Sequence, residues 1–175
     1  MTPSFAVRLQ RALTSLDDTT TTGQGMRLQN LAHFVLESVP GVTIVAQNTM
    51  DAQHSGEIDL WLQHEAKAKL PFIDPLVPVE CKNEVRTTSA AQIREFAAKI
   101  RYSGGSDGLI ITRSGLSGQA LTGAHHALQA ALHDRIRILV VTCQDLEMMT
   151  RAAEIPRLLQ DRHIELRMKR TYQSI

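Results

Sequence analysis

The sequence predicts a three-layer α/β domain built around a mixed sheet. In its first half, strand-like segments with a period of two follow segments whose apolar residues recur at helical spacing. In its second half, helix-like and strand-like segments alternate, which is typical of parallel strands covered by helices. With 175 residues, 43% of them hydrophobic and 21% charged, the chain is long enough to form one such domain.

The N-terminal part of the chain is predicted to form two helices. The first is indicated by apolar residues at helical spacing, namely Phe5, Leu9, Leu13 and Leu16. The second begins at Met26 and ends at Pro40-Gly41. The polar stretch 17–25 between them is predicted to be a linker.

Three strands are predicted next, over residues 42–48, 57–62 and 76–82. The first two are separated by a turn-like segment and are expected to pair in antiparallel fashion. In the third strand, alternate residues form two sets. One set is apolar, and the other begins with a proline and continues with two charged residues. These sets are Val77, Val79 and Cys81 on one face, and Pro78, Glu80 and Lys82 on the other.

The second half is predicted to continue as helix, strand, helix, strand. Apolar positions Ile93, Phe96, Ala97 and Ile100 indicate the first helix. A strand is predicted over 109–113, a helix over 119–134, a strand over 135–142, and then two helical pieces divided near Pro156. The domain prediction is therefore an N-terminal helix and linker over 1–22, a main domain over 23–150, and a C-terminal helical extension over 151–175.

Charge and cysteine content restrict the classes of function. The formal net charge is only +1, so nucleic-acid binding requires a local basic patch. Cys81 and Cys143 lie in apolar runs and are expected to be reduced, which favours the cytoplasm. No signal peptide or membrane-spanning run is recognised, so a soluble protein is expected.

The third predicted strand carries the strongest functional signal. Glu80 and Lys82 share a face, and Asp59 on a neighbouring strand can reach that same face. Two converging carboxylates repel each other unless a cation neutralises them. Mg²⁺ accepts one or two carboxylates together with water and phosphate oxygens, so Asp59, Glu80 and the backbone carbonyl of Cys81 are predicted as its ligands. The alternative is an ion pair on the sheet surface.

Asp59 followed by Glu80-Cys81-Lys82 resembles the PD-(D/E)xK nuclease motif, and the surrounding sequence resembles the Mrr-like restriction endonucleases from about Gly25 to Met148. That family also has an acidic or amide residue on its first helix, where this chain has Gln29, and an Asp that ends its second strand. A later segment of the family matches residues 111–118.

The resemblance implies a restriction endonuclease-like fold and metal-dependent hydrolysis of DNA, with Mg²⁺ as cofactor and Mn²⁺ as a substitute. Asp59, Glu80, Lys82 and Gln29 would be the catalytic residues, with Lys82 orienting the attacking water. Ile58 stands where the family motif has Pro, and Gln29 stands where Glu is usual. The missing charge favours a single metal. For Gln29 the alternative is an ordinary exposed helix residue.

Contacts with DNA phosphates are predicted for Arg86 and for the segment Thr112, Arg113 and Ser114, which follows a strand end. Arg94 and Lys99 fit a solvated helix face equally well. No separate sequence-recognition module is visible.

The resemblance implies a role in defence against foreign DNA, or in repair. The alternatives are a structure-selective nuclease of the Holliday-junction type and a catalytically silent DNA-binding or assembly module. The expected partners are a second copy of the chain and a regulatory or specificity protein. A homodimer would form through the N-terminal helix or the helix around His125. No membrane partner is expected.

Overall fold

The computed structural model describes residues 3–17, 21–50, 56–118 and 123–169. These residues form one five-stranded sheet in sequential order. Its strands are β1 (Val42–Met50), β2 (Glu57–His64), β3 (Leu76–Lys82), β4 (Asp107–Thr112) and β5 (Arg137–Thr142). Strands β1, β2 and β3 are antiparallel, whereas β3, β4 and β5 are parallel. The predicted mixed sheet is confirmed, and the direction of pairing changes at β3.

Helices cover both faces of the sheet, which confirms the three-layer architecture. They are α1 (Phe5–Thr14), α2 (Thr21–Glu37), α3 (Ala90–Tyr102), α4 (Ala124–His133), α5 (Cys143–Glu147) and α6 (Ile155–Lys169). Helix α2 packs on β1, β2 and β3, and α1 packs on α2. Helices α3 and α4 pack on each other and against β4 and β5. Among the described residues, no helix is both long and apolar enough to cross a bilayer.

The alternation that predicted the strands defines the core. Ile58, Leu60 and Leu62 on β2 are at most 1% exposed, and so are Val77 and Val79 on β3. The neighbouring residues of each strand project to the opposite face. On β3 that opposite face carries Glu80 and Lys82, which are therefore directed away from the Val77 and Val79 side of the sheet.

The terminal segments pack into the same core as the rest of the chain. Leu9 and Leu16 from the N-terminal segment and Leu159 and Leu166 from α6 belong to one continuous hydrophobic cluster. The boundary predicted between residues 22 and 23 falls inside α2. Because these segments bury their apolar residues against the domain, they stabilise it.

The predicted linker over 17–25 is too long, because α2 begins at Thr21. Thr and Gly are weak helix formers, but extending a helix is far easier than starting one. The following turns bury Leu28 and Leu31 completely, and this packing extends the helix backwards. Residues 18–20 lie outside the described part, as do the turn residues 51–55 and the first residues of the helix predicted from 119.

The C-terminal division near Pro156 is confirmed. Pro156 lies in the first turn of α6. Backbone N–H groups in the first turn have no intrahelical acceptor, so the N–H that proline lacks costs the helix nothing there. Cys81 and Cys143 are both free. Burial raises the pKa of the Cys143 thiol to about 11, which makes it an unreactive packing residue.

Gly108 on β4 allows α3 to pack closely on the sheet. A Cβ atom added to Gly108 would lie 2.8 Å from Cε1 of Phe96 and closer still to Cδ1 of Ile100. Both side chains are at most 1% exposed, so neither has free space to move into. The distance between α3 and β4 therefore depends on the absence of a side chain at position 108.

We predict that Gly108→Ala lowers the free energy of unfolding by about 1–3 kcal/mol, because overpacking forces a shift of α3. Urea denaturation measures this change. Gly105→Ala is the matched control, since its Cβ would meet no atom closer than 3.5 Å. Equal stability of the two variants would contradict the close packing of α3 on β4.

Candidate active site

The register of β2 and β3 brings the predicted acidic residues together. Leu60 pairs with Val79 in an antiparallel register, so the preceding Asp59 lies beside the following Glu80. Asp59 is the third residue of β2, as in the predicted strand over 57–62, whereas the family has its Asp at the end of the second strand. Because β2 runs antiparallel to β3, the start of β2 meets the carboxyl end of β3. Both carboxylates consequently lie at the same edge of the sheet, by which we mean the end at which β3, β4 and β5 finish.

Asp59 has an unfavourable environment for a negative charge. Its Oδ2 accepts a hydrogen bond of 2.6 Å from the backbone N–H of Cys81. Burial, and secondly the negative charge of Glu80, raise the pKa of Asp59 to about 6, although the Cys81 N–H and the ammonium groups of Lys82 and Lys99 act in the opposite direction. A nearby cation would relieve this repulsion.

Glu80 is 5% exposed and lies between two lysine ammonium groups. Its Oε1 is 2.7 Å from Nζ of Lys82, and its Oε2 is 3.2 Å from Nζ of Lys99. Burial alone would lower the pKa of Lys82, but the charges of Glu80 and Asp59 outweigh this effect and raise it. Lys82 therefore remains a cation at neutral pH.

Lys99 is the residue of this site that the sequence interpretation missed. On sequence alone a solvated helix face fits Lys99 as well as a DNA contact does, but the residue is 5% exposed and its Nζ also donates to the carbonyl of Glu57 at 2.7 Å. The missed signal is positional. Lys99 follows Phe96 by three residues, so it shares the apolar face of α3, whereas Arg94 is exposed on the other side.

Gln29 lies behind Asp59 and is 8% exposed, so the alternative of an ordinary exposed helix residue is wrong. Its Nε2 donates to Oδ1 of Asn48 at 2.7 Å and to the backbone carbonyl of Asp59 at 3.0 Å. Asn48 itself has a positive φ of 49°. Gln29 therefore fixes the backbone of β2 at the position from which the Asp59 carboxylate projects.

The donor set at this edge fits a hard divalent cation. Asp59 and Glu80 provide carboxylate oxygens, and Cys81, between Glu80 and Lys82 at the end of β3, provides a backbone carbonyl. In the part of the chain that the structure describes, no group of three or more His, Cys, Asp and Glu side chains forms a metal site. Two protein carboxylates suit Mg²⁺, which retains water and takes phosphate oxygens from its substrate.

The residues predicted to contact DNA differ in their surroundings. Thr112 is fully buried and its hydroxyl is 3.0 Å from that of Thr88, so its predicted phosphate contact is wrong. Arg113 donates to the carbonyl of Leu16 at 3.1 Å and forms an ion pair with Asp17. The remaining two residues, Arg86 and Ser114, lie on the loops that follow β3 and β4, and Arg86 is exposed.

The fold and the paired carboxylates at the end of β3 define a restriction endonuclease-like domain. Residues 25–148, well over half of the chain, match the model of the Mrr catalytic-domain family, which is described as restriction endonuclease. The chain belongs to this family, and the resemblance that the sequence indicated is confirmed. Its class is therefore that of a nuclease. No curated protein matches the sequence.

The raised pKa of Asp59 predicts a pH dependence of stability. Since the folded value of about 6 lies above the ordinary 3.8, the folded protein binds this proton more tightly than the unfolded chain. Stability is therefore lost as the pH rises from about 4 to about 6. In EDTA, Asp59→Asn should be more stable than wild type by about 1–3 kcal/mol at pH 7–8, with the difference vanishing near pH 4.

Urea denaturation of both proteins from pH 4 to pH 8 measures this effect. Asp161→Asn, which changes an exposed aspartate of α6, is the matched control and should follow wild type throughout. A stability difference that is the same at every pH would mean that Asp59 does not carry a destabilising charge.

Proposed function

We propose that the protein is a metal-dependent DNA endonuclease that hydrolyses phosphodiester bonds at the edge formed by β2 and β3. The observation that carries this proposal is the convergence of Asp59 and Glu80 beside the Lys82 ammonium. Two neighbouring carboxylates repel each other, and the charge of Glu80 contributes to the raised pKa of Asp59. They are useful for holding a divalent cation.

Asp59, Glu80 and the carbonyl of Cys81 are proposed to hold Mg²⁺, or Mn²⁺ in its place. When bound, the metal would supply Lewis-acid activation of the scissile phosphate and lower the pKa of a water. Lys82 is proposed to donate a hydrogen bond to the attacking water and to stabilise the charge that develops on phosphorus-bound oxygens. Lys99 holds the Glu80 carboxylate in place, and Gln29 holds the backbone of Asp59.

The proposed reaction is an in-line hydrolysis. The water oxygen forms a bond to phosphorus while the bond from phosphorus to the leaving oxygen of the sugar breaks. The water loses one proton and the leaving oxygen gains one, so the products are a phosphate monoester and an alcohol. Family membership supports a nuclease reaction. A role in DNA restriction or defence in the cytoplasm, with homodimerisation to cut both strands, is part of the proposal.

We predict that Glu80→Gln and Asp59→Asn each reduce DNA cleavage at least a thousandfold, because each removes a ligand that stabilises the transition state by several kcal/mol. The measurement is cleavage of supercoiled plasmid, linear duplex, branched and single-stranded DNA with Mg²⁺, Mn²⁺ or EDTA. Glu65→Gln, an exposed glutamate at the opposite end of β2, should cut like wild type.

Retention of most activity by the Glu80 and Asp59 variants would overturn the assignment of the site. Cleavage of branched DNA alone would identify a structure-selective nuclease. The absence of both metal binding and cleavage in wild type would identify a silent module.

Lys99→Met is predicted to have opposite effects on stability and on metal binding. Breaking this buried ion pair should cost about 3 kcal/mol in EDTA, whereas loss of a neighbouring positive charge should strengthen the binding of a dication. The stabilisation that Mn²⁺ gives, measured as a rise in Tm, should therefore be larger for Lys99→Met than for wild type.

The charge-retaining Lys99→Arg and the exposed Lys67→Met serve as controls. Lys67 pairs with Glu65 on the surface, so its loss should change neither quantity. An equal Mn²⁺ effect on wild type and Lys99→Met would show that Lys99 does not act through Glu80.

A further inference from the structure

A groove of about 440 Å³ runs between α1 and α2. We call it the α1–α2 groove, and its lining includes Arg8, Arg11, Ser15, Arg27 and Phe34. Arg8 and Arg11 are exposed and lie one turn apart on α1. Arg27 enters from α2 and donates to the carbonyl of Ser15 at 2.8 Å. Three guanidinium groups therefore line one short groove.

Arg8 and Arg11 carry the exposed positive charge of the α1–α2 groove. Between residues 1 and 36 the only acidic residues are Asp17 and Asp18, and Asp17 forms an ion pair with Arg113. Arg8 lies 4.1 Å above the ring of Phe34, a contact that holds a guanidinium in place without neutralising it. In a chain whose net charge is only +1, this is a local concentration of positive charge.

Hydrogen bonds connect the α1–α2 groove to the edge of the sheet that carries the active site. Arg27 donates to the Ser15 carbonyl and Arg113 donates to the adjacent Leu16 carbonyl. The backbone N–H of Arg113 in turn donates to the carbonyl of Lys82 at 2.9 Å. The guanidinium groups of Arg27 and Arg113 are thus fixed to consecutive peptide units, and basic residues extend from the end of β3 to α1.

We propose that the α1–α2 groove binds the phosphate backbone of DNA on one side of the cleavage position. This inference rests on the proposed function, since it assigns the surface that holds the substrate. Guanidinium groups suit phosphates because they donate several hydrogen bonds in a fixed plane. Such contacts position a duplex without reading its sequence. None of the described residues that line the groove is acidic, and exposed arginines clustered in this way attract a polyanion.

The test is the salt dependence of DNA binding by the full chain in EDTA, measured by fluorescence anisotropy with two labelled 30-bp duplexes of unrelated sequence. Each phosphate contact contributes about 0.9 to the slope of log K against log salt concentration. The double variant Arg8→Gln/Arg11→Gln should flatten this slope by about 2, and weaken binding about tenfold or more near 100 mM salt, equally on both duplexes.

Two variants separate charge from structure. Arg8→Lys keeps the charge over Phe34 and should retain most of the wild-type slope. Arg167→Gln removes an arginine that lies near Ser106 and Arg137. Ser106 directly precedes β4 and Arg137 is the first residue of β5, so both lie at the end of the sheet opposite the active site. It should leave the slope unchanged. Arg11→Gln alone, which removes an exposed side chain, should flatten the slope by about 1 even if the double variant does not fold.

Each outcome decides between the inferences. An unchanged slope in the Arg11→Gln and double variants overturns the proposal that the groove binds DNA. If wild type still cuts DNA in that case while Glu80→Gln does not, the nuclease proposal stands. A flattened slope without metal-dependent cleavage supports the groove and overturns the nuclease. If the arginine variants differ from wild type in sedimentation coefficient but not in the salt slope of DNA binding, the groove is an interface between copies of the chain and not a DNA-binding surface.

Discussion

A carboxylate that is buried in a protein must have cations beside it, and Glu80 meets this requirement in a way that organises the domain. Lys82 comes from the same strand, two residues away, whereas Lys99 comes from α3 on the covering layer. The ion pair with Lys99 thus joins the helix to the sheet, and the Lys99 bond to the Glu57 carbonyl extends the connection to β2. The close approach of α3 at Gly108 makes this reach possible.

The change of pairing direction at β3 explains why the site lies where it does. On one side β2 is antiparallel to β3, so its first residues meet the carboxyl end of β3. On the other side β4 and β5 are parallel to β3, so their carboxyl ends and the loops that follow lie at the same edge. Side chains from the start of one strand and the ends of others therefore converge. A sheet of uniform direction would not bring Asp59 beside Glu80.

The sequence predicted the strands and the shared face of Glu80 and Lys82, because both depend on local periodicity. A period of two places Glu80 and Lys82 on one face whatever the rest of the chain does. The environments of Lys99 and Thr112 do not follow from local periodicity, since they depend on tertiary contacts. Lys99 occupies an apolar face because Glu80 neutralises it, and Thr112 is covered by Thr88. The early start of α2 likewise depends on packing, which overrides weak propensity.

The lysines at the proposed active site offset its carboxylates in the absence of a metal. Asp59 and Glu80 supply two negative groups, Lys82 and Lys99 supply two positive ones, and the mostly exposed Glu95 lies 3.7 Å from the Lys99 ammonium, so the fold does not need a cation to hold the site together. A bound dication would leave the site with a net positive charge, which an anionic phosphodiester would partly neutralise. On this reasoning metal and DNA should bind cooperatively, because each supplies the charge that the other lacks.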